Sequence, residues 1–236
     1  MRKLLFIPII TLFISAQSQD IKQVSAIEFN KLIELNNGVL LDVRTTSEYN
    51  NGYIANAGQL NYYALDFYKK LFLLSKDEPI YLYCNTGYRS NKAAQRLVAN
   101  GYTKVYNLKH GIMEWNLQNL PVNISPDAQP DIDNKMETAD YHKLINADKL
   151  VFIDFYAPWC GPCRKMMPMI DSLKVEYHTK IDIVKINADA SKKLMKDLKL
   201  IGVPYLAMYK NGELLYSKKG IAYRKELEKQ FNKNIK

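Results

Sequence analysis

Short apolar runs alternate with segments of helical apolar spacing along most of this chain, in two blocks separated by a stretch that has neither pattern. In the first block Val39–Val43, Ile80–Tyr83 and Val105–Leu108 are runs of buried-strand type. Residues 64–74 and 91–99 carry helical spacing, and Ser25 followed three positions later by Glu28 predicts a capped helix start. In the second block the predicted order is helix at 138–147, strand at Leu150–Tyr156, long helix from Gly161 to Tyr177, strand at Ile181–Asn187 and helix at 191–198. A hairpin at 204–209 and 213–216 and a closing helix at 223–231 follow. Trp115 reads as a packing residue on the last helix of the first block.

Strands that alternate with helices imply a mainly parallel sheet covered on both faces. The chain is therefore expected to be α/β throughout, with a mainly parallel sheet in the first block and a mixed sheet in the second. At 236 residues it is long enough for two domains, each with its own core. The expected boundaries are a signal peptide at 1–18, a first domain at 19–122, a linker at 123–133 and a second domain at 134–236. The linker expectation rests on the Pro-rich run Leu120-Pro121 to Pro130-Asp131, which has no period and reads as semi-rigid and exposed.

The chemistry of the second block centres on Trp159-Cys160-Gly161-Pro162-Cys163, directly after a buried-strand run and at the mouth of a predicted helix. Unpaired backbone N–H groups and the helix dipole favour a thiolate there, so Cys160 is the nucleophile and Cys163, a turn further in, resolves the mixed species. A structural disulfide or half of a zinc site is the plainer alternative, but zinc needs two more soft ligands, and only Cys84 and three histidines lie elsewhere. These residues resemble thioredoxin. The likeness extends to Pro168 inside the helix, to Lys210-Asn211-Gly212-Glu213 as a late hairpin and to Gly220. It implies that Asp154 is a buried carboxylate that accepts the Cys163 proton. It also implies that Val203-Pro204 is a cis peptide which, with Trp159, forms the partner-docking edge. Tyr156 and Tyr205 stand where Trp and Thr are common in that family.

Cys84 closes the run Ile80–Tyr83 and opens the loop Cys84-Asn85-Thr86-Gly87-Tyr88-Arg89-Ser90 before a helix. Functional groups of parallel sheets gather at such strand ends, and a short loop of this kind can form an anion nest that favours a thiolate. With Asp42-Val43-Arg44, Glu48-Tyr49, Gly52-Tyr53-Ile54 and Leu108-Lys109-His110-Gly111, the loop resembles a single-domain rhodanese. The resemblance implies a sulfane-sulfur carrier at Cys84, with Arg89 and the loop residues Asn85, Thr86, Gly87 and Tyr88 holding the anionic donor. Asn85 stands where many rhodaneses carry Arg, which weakens the case for thiosulfate. The Cys84 to Arg89 spacing is shorter than in the related phosphatases. His110, His142 and His178 read as turn or surface residues.

Arg2-Lys3, the apolar run from Leu4 to Ile14 and Ser15-Ala16 read as a secretory signal cleaved near Ala16 or Ser18, leaving a soluble, periplasmic protein; an uncleaved anchor is the alternative. The net charge of +9 is spread over helix faces and the tail without an aromatic–basic stripe, so solvated surface is the better reading than nucleic-acid binding. No cofactor or metal is expected. Two functions remain open. One is an exported enzyme in which sulfane sulfur moves through a Cys84 persulfide, with the Cys160/Cys163 dithiol as acceptor or reductant. The other is a general protein-disulfide reductase with the first domain as a docking module. The expected partners are a sulfane-sulfur donor, protein disulfides and a membrane thiol reductant.

Overall fold

The computed structural model describes residues 21–35, 38–129 and 131–235; the expected signal segment lies outside them. The first module runs β1 (Lys22–Val24), α1 (Ala26–Leu35), β2 (Val39–Asp42), α2 (Thr46–Asn50), β3 (Gly58–Gln59), α3 (Phe67–Leu71), β4 (Ile80–Tyr83), α4 (Tyr88–Ala99), β5 (Val105–Leu108) and α5 (Gly111–Leu117). Its strands form one parallel sheet in the order β1-β5-β4-β2-β3. The central strand β4 is buried at every position, which is why its sequence is a continuous apolar run rather than an alternating one. Ile80 and Leu82 pack with Phe67, Leu71 and Leu97 in one cluster. Tyr81 and Tyr83 belong to the other, with Phe29 and Trp115.

The second module runs α6 (Thr138–Ile145), β6 (Leu150–Tyr156), α7 (Gly161–Glu176), β7 (Ile181–Asn187), α8 (Lys192–Asp197), β8 (Tyr205–Lys210), β9 (Glu213–Lys219) and α9 (Arg224–Asn234). Its sheet is mixed, in the order β7-β6-β8-β9, with β6 parallel to β7 and antiparallel to β8. Every residue of β6 is buried, so the dithiol that follows it is carried by the most constrained strand of the module. Pro168 lies inside α7.

The segment between the modules is pinned at several points. Asn123 pairs with Tyr53, the Ser125 amide donates to the Asn50 carbonyl, and the Asn51 side-chain amide donates to the Gln129 carbonyl. On the other side the Asn187 amide donates to the Asn134 carbonyl. Met113 of α5 packs against the second module's cluster of Tyr141, Phe155 and Leu194. The Lys192 ammonium donates to the Asn51 carbonyl at 3.2 Å, and that of Lys196 to the Asn119 side chain.

Candidate active sites

Cys84 is the free cysteine and is 1% exposed at the C-terminal end of β4. The loop beyond it is short because Gly87 takes a left-handed φ of 83°, after which α4 starts at Tyr88. A Cβ on Gly87 would meet the Lys109 carbonyl oxygen at 2.0 Å, so loop and following turn are in backbone contact. From the same side, the amides of Ile112 and Met113 donate to the carbonyls of Cys84 and Asn85 at 2.8 and 3.1 Å.

Around this loop runs a buried chain of charged groups. Arg89 makes a two-pronged pair with Glu48, at 2.9 and 2.5 Å, and the Asn85 side-chain nitrogen donates to the same carboxylate at 2.5 Å. The Arg44 guanidinium donates to the Asn85 side-chain oxygen at 3.2 Å and is itself bound by Asp42 at 2.6 Å. Glu48 also closes a capping box with Thr45 at the start of α2. Burial alone would raise the Glu48 carboxyl, but the hydrogen bonds and charge of Arg89 outweigh it and hold the group below its ordinary range. Burial works against the charge on Arg89 as well, and Glu48 more than offsets it, so the guanidinium is held protonated. Two cations thus face two anions, and both polar ends of Asn85 are occupied.

The structure brings Cys84, Asn85 and Arg89 together, but neither Asn85 nor Arg89 is free: each is engaged with Glu48. Glu48 entered the sequence analysis only as part of the rhodanese resemblance and not as a site residue. Its place in a capping box three residues after Thr45 was a legible local signal, whereas its partners lie 37 and 41 residues away. Thr86 is half-buried in the loop and Tyr88 is exposed.

In the second module Cys160 is the N-cap of α7 and is joined to Cys163 in a disulfide; they are 3% and 1% exposed. The Cys163 amide donates to the Cys160 sulfur at 3.1 Å. Trp159 donates from its indole to Asp189 at 2.8 Å. Asp154 is fully buried on β6, and neither carboxylate oxygen has a hydrogen-bond partner. Burial pushes its carboxyl up to about 7, against the pull of the Lys185 charge. A carboxyl of that kind takes up or gives back a proton near neutrality, the range a thiol exchange step uses. The Val203–Pro204 peptide is cis, and Val203 packs beside Cys160 and Cys163.

Residues beside both sites line one cleft. A cavity of 860 Å³ is walled on one side by Arg44, Glu48 and Asn85 and on the other by Trp159, Arg164 and Asp189. Cys84, Cys160, Cys163, Val203 and Pro204 are not among the residues that line it.

A parallel-sheet module with a cysteine loop and a mixed-sheet module with a helix-capping dithiol define a two-centre protein of thiol and sulfur chemistry. The comparisons divide the chain in the same way: residues 25–118 match the rhodanese-like domain and residues 133–233 match thioredoxin. Thioredoxin of Porphyra purpurea is 38% identical over 87% of its length, and that of Rickettsia typhi 31% identical over 99%. These relatives cover 39% and 44% of the present chain. Among solved structures, mitochondrial thioredoxin 3 of Saccharomyces cerevisiae aligns with 42% of this chain and 93% of its own, at 31% identity and a TM-score of 0.38. The chain belongs to the thioredoxin family and carries a rhodanese-like domain ahead of its thioredoxin domain.

Proposed function

We propose that the protein is an exported sulfurtransferase and thiol–disulfide oxidoreductase in which the Cys160/Cys163 dithiol draws sulfane sulfur from Cys84. Cys84 carries the sulfur as a persulfide in its loop. The Cys160 thiolate attacks the outer sulfur, that S–S bond breaks, and Cys84 leaves as a thiolate. Cys163, with Asp154 as proton acceptor, then attacks Cys160 and expels hydrosulfide, closing the disulfide. The dithiol loses two electrons and the transferred sulfur gains them, so a further thiol reductant must reopen the disulfide for each cycle. The observation that supports this reading is a cleft lined both by Asn85, the chain neighbour of Cys84, and by Trp159, the chain neighbour of Cys160.

The test uses reduced full chain treated with a sulfane-sulfur donor. Hydrosulfide should appear together with the Cys160–Cys163 disulfide, and Cys84→Ser should abolish both. Cys163→Ser should trap one extra sulfur atom on the Cys160 peptide, seen by mass spectrometry. Hydrosulfide release that survives Cys84→Ser would overturn the relay.

Reduction of protein disulfides is the second reading, and a specific observation favours it. Val203 packs beside Cys160 and Cys163, so an extended chain that pairs along the Val203–Pro204 edge would meet the dithiol. The apolar N-terminal run with its basic start supports export. Among the described residues no helix is long and apolar enough to cross a membrane.

A further inference from the structure

Helix α3 of the first module carries large apolar side chains toward both core and solvent. Phe67 and Leu71 are buried in the core cluster. Leu65, just ahead of the helix, is fully exposed, Leu73 just past it is 80% exposed, and Phe72 beside it is exposed as well. Large apolar groups gathered in this way on one short segment mark a surface that meets something other than water.

Between α3 and α4 lies a surface notch of 350 Å³, lined by Tyr62 and Tyr68 on one side and by Lys92, Gln95 and Arg96 on the other. Lys92 and Arg96 are one turn apart and share a face of α4. Their charges lie over the rings of Tyr88 and Tyr68, at 5.9 and 5.8 Å, and among the described residues neither is paired with a carboxylate. The Tyr68 hydroxyl donates to that of Tyr62 at 3.5 Å, which leaves the Tyr62 proton for an acceptor outside the notch. Burial and the Tyr68 hydroxyl push the Tyr62 phenol up to about 12, so that proton stays in place. Lys69 adds exposed positive charge, while Asp66 is answered by Lys70 at 2.8 Å. Along the sequence these aromatic and basic residues form no stripe; the packing of α3 beside α4 assembles one.

We propose that this α3–α4 face seats the protein on an anionic phospholipid surface, with Tyr62, Lys92 and Arg96 on headgroup phosphate and Leu65, Phe72 and Leu73 at the acyl boundary. Tyrosine, lysine and arginine hold proteins in the headgroup layer because each has an apolar body and a polar tip. The positive charge draws the face to an anionic membrane, and the exposed leucines add contact that only an apolar phase favours. An acidic protein would match the charges alone and leave those leucines in water. The seat needs no spanning helix, and it stands apart from the sulfur chemistry proposed above.

The test uses the chain from residue 19 onward, which keeps every described element and removes the apolar N-terminal run that would itself enter a bilayer. Sedimentation with vesicles of phosphatidylglycerol mixed into phosphatidylcholine should carry the protein down, and vesicles of phosphatidylcholine alone should not. Lys92→Gln with Arg96→Gln should weaken binding by about tenfold or more. Leu65→Ser with Leu73→Ser should weaken it by about threefold or more. Removing the same charge from α9, by Lys225→Gln with Lys229→Gln, should leave it unchanged. All three double variants should keep the parent's rate of disulfide reduction, which shows that they fold. Equal loss from the α9 variant, or no loss from the leucine variant, would reduce the effect to the general attraction of a basic protein and overturn the proposal. Binding of polyglutamate through Lys92 and Arg96, with no binding to either vesicle, would overturn it in favour of an acidic protein partner.

Discussion

Glu48 ties three parts of the first site together: it binds Arg89, Asn85 and the Thr45 cap at once. Glu48→Gln would leave the Arg89 guanidinium buried beside a neutral amide, a change that costs about 3–5 kcal/mol when a buried pair loses one partner. Urea unfolding of the variant should show that loss, together with slower sulfur loading of Cys84. The same fold makes a pH prediction at Asp154. Its carboxyl is raised from an ordinary 3.8 to about 7, so the folded state holds the proton more tightly than the unfolded chain. The penalty is absent below the ordinary value, grows as pH rises toward 7 and is complete above it. Asp154→Asn should therefore gain stability relative to the parent as pH rises from 5 to 8, by about 2–4 kcal/mol. A gap that stays constant across that interval would contradict the assignment. Cys84 and Cys160 were legible because each sits in its own local pattern, and Asp154 through the resemblance to thioredoxin. The engagement of Asn85 and Arg89 was not, since both depend on a residue brought in from a distant helix.

Element by element, the longer and more buried a strand, the better its sequence announced it. Strands β4, β5, β6 and β7 occupy the expected positions, because a strand buried on both faces must be apolar throughout. Strands β1 and β3, of three and two residues, are too short to show any period and were missed. Helix α4 begins at Tyr88 and not at Asn91, since the left-handed Gly87 ends the loop early and draws Arg89 and Ser90 into the first turn. Helix α3 is shorter than its apolar spacing suggested. Two glycines set the geometry of the Cys84 loop. Gly87→Ala would drive a methyl to 2.0 Å from the Lys109 carbonyl, and Gly111→Ala to 2.3 Å from the Cys84 and Asn85 carbonyls, both at positive φ. Each should cost about 2 kcal/mol or more in unfolding experiments and slow Cys84 loading. Gly161→Ala meets nothing within 4 Å and should change stability by less than about 1 kcal/mol, which calibrates the comparison.

For the whole molecule, the sequence separated the two modules but not their relation. The Pro-rich join read as an exposed spacer; in the fold it is fastened to the first module through Tyr53 and Asn50, and Asn51 and Lys192 fasten α8 across it. None of these contacts has a local sequence signal, because each pairs a backbone group with a residue chosen only by docking. Their consequence is that residues beside each cysteine site, Asn85 on one module and Trp159 on the other, line one cleft, and the proposed sulfur exchange would then run within a single chain. The direct measurement is hydrosulfide release from chains loaded with persulfide at Cys84 and reduced at Cys160/Cys163, recorded over a wide range of protein concentration. A first-order rate that does not change with concentration is the predicted result. A rate proportional to concentration would show that the sulfur passes between molecules, and would contradict the shared cleft as the route.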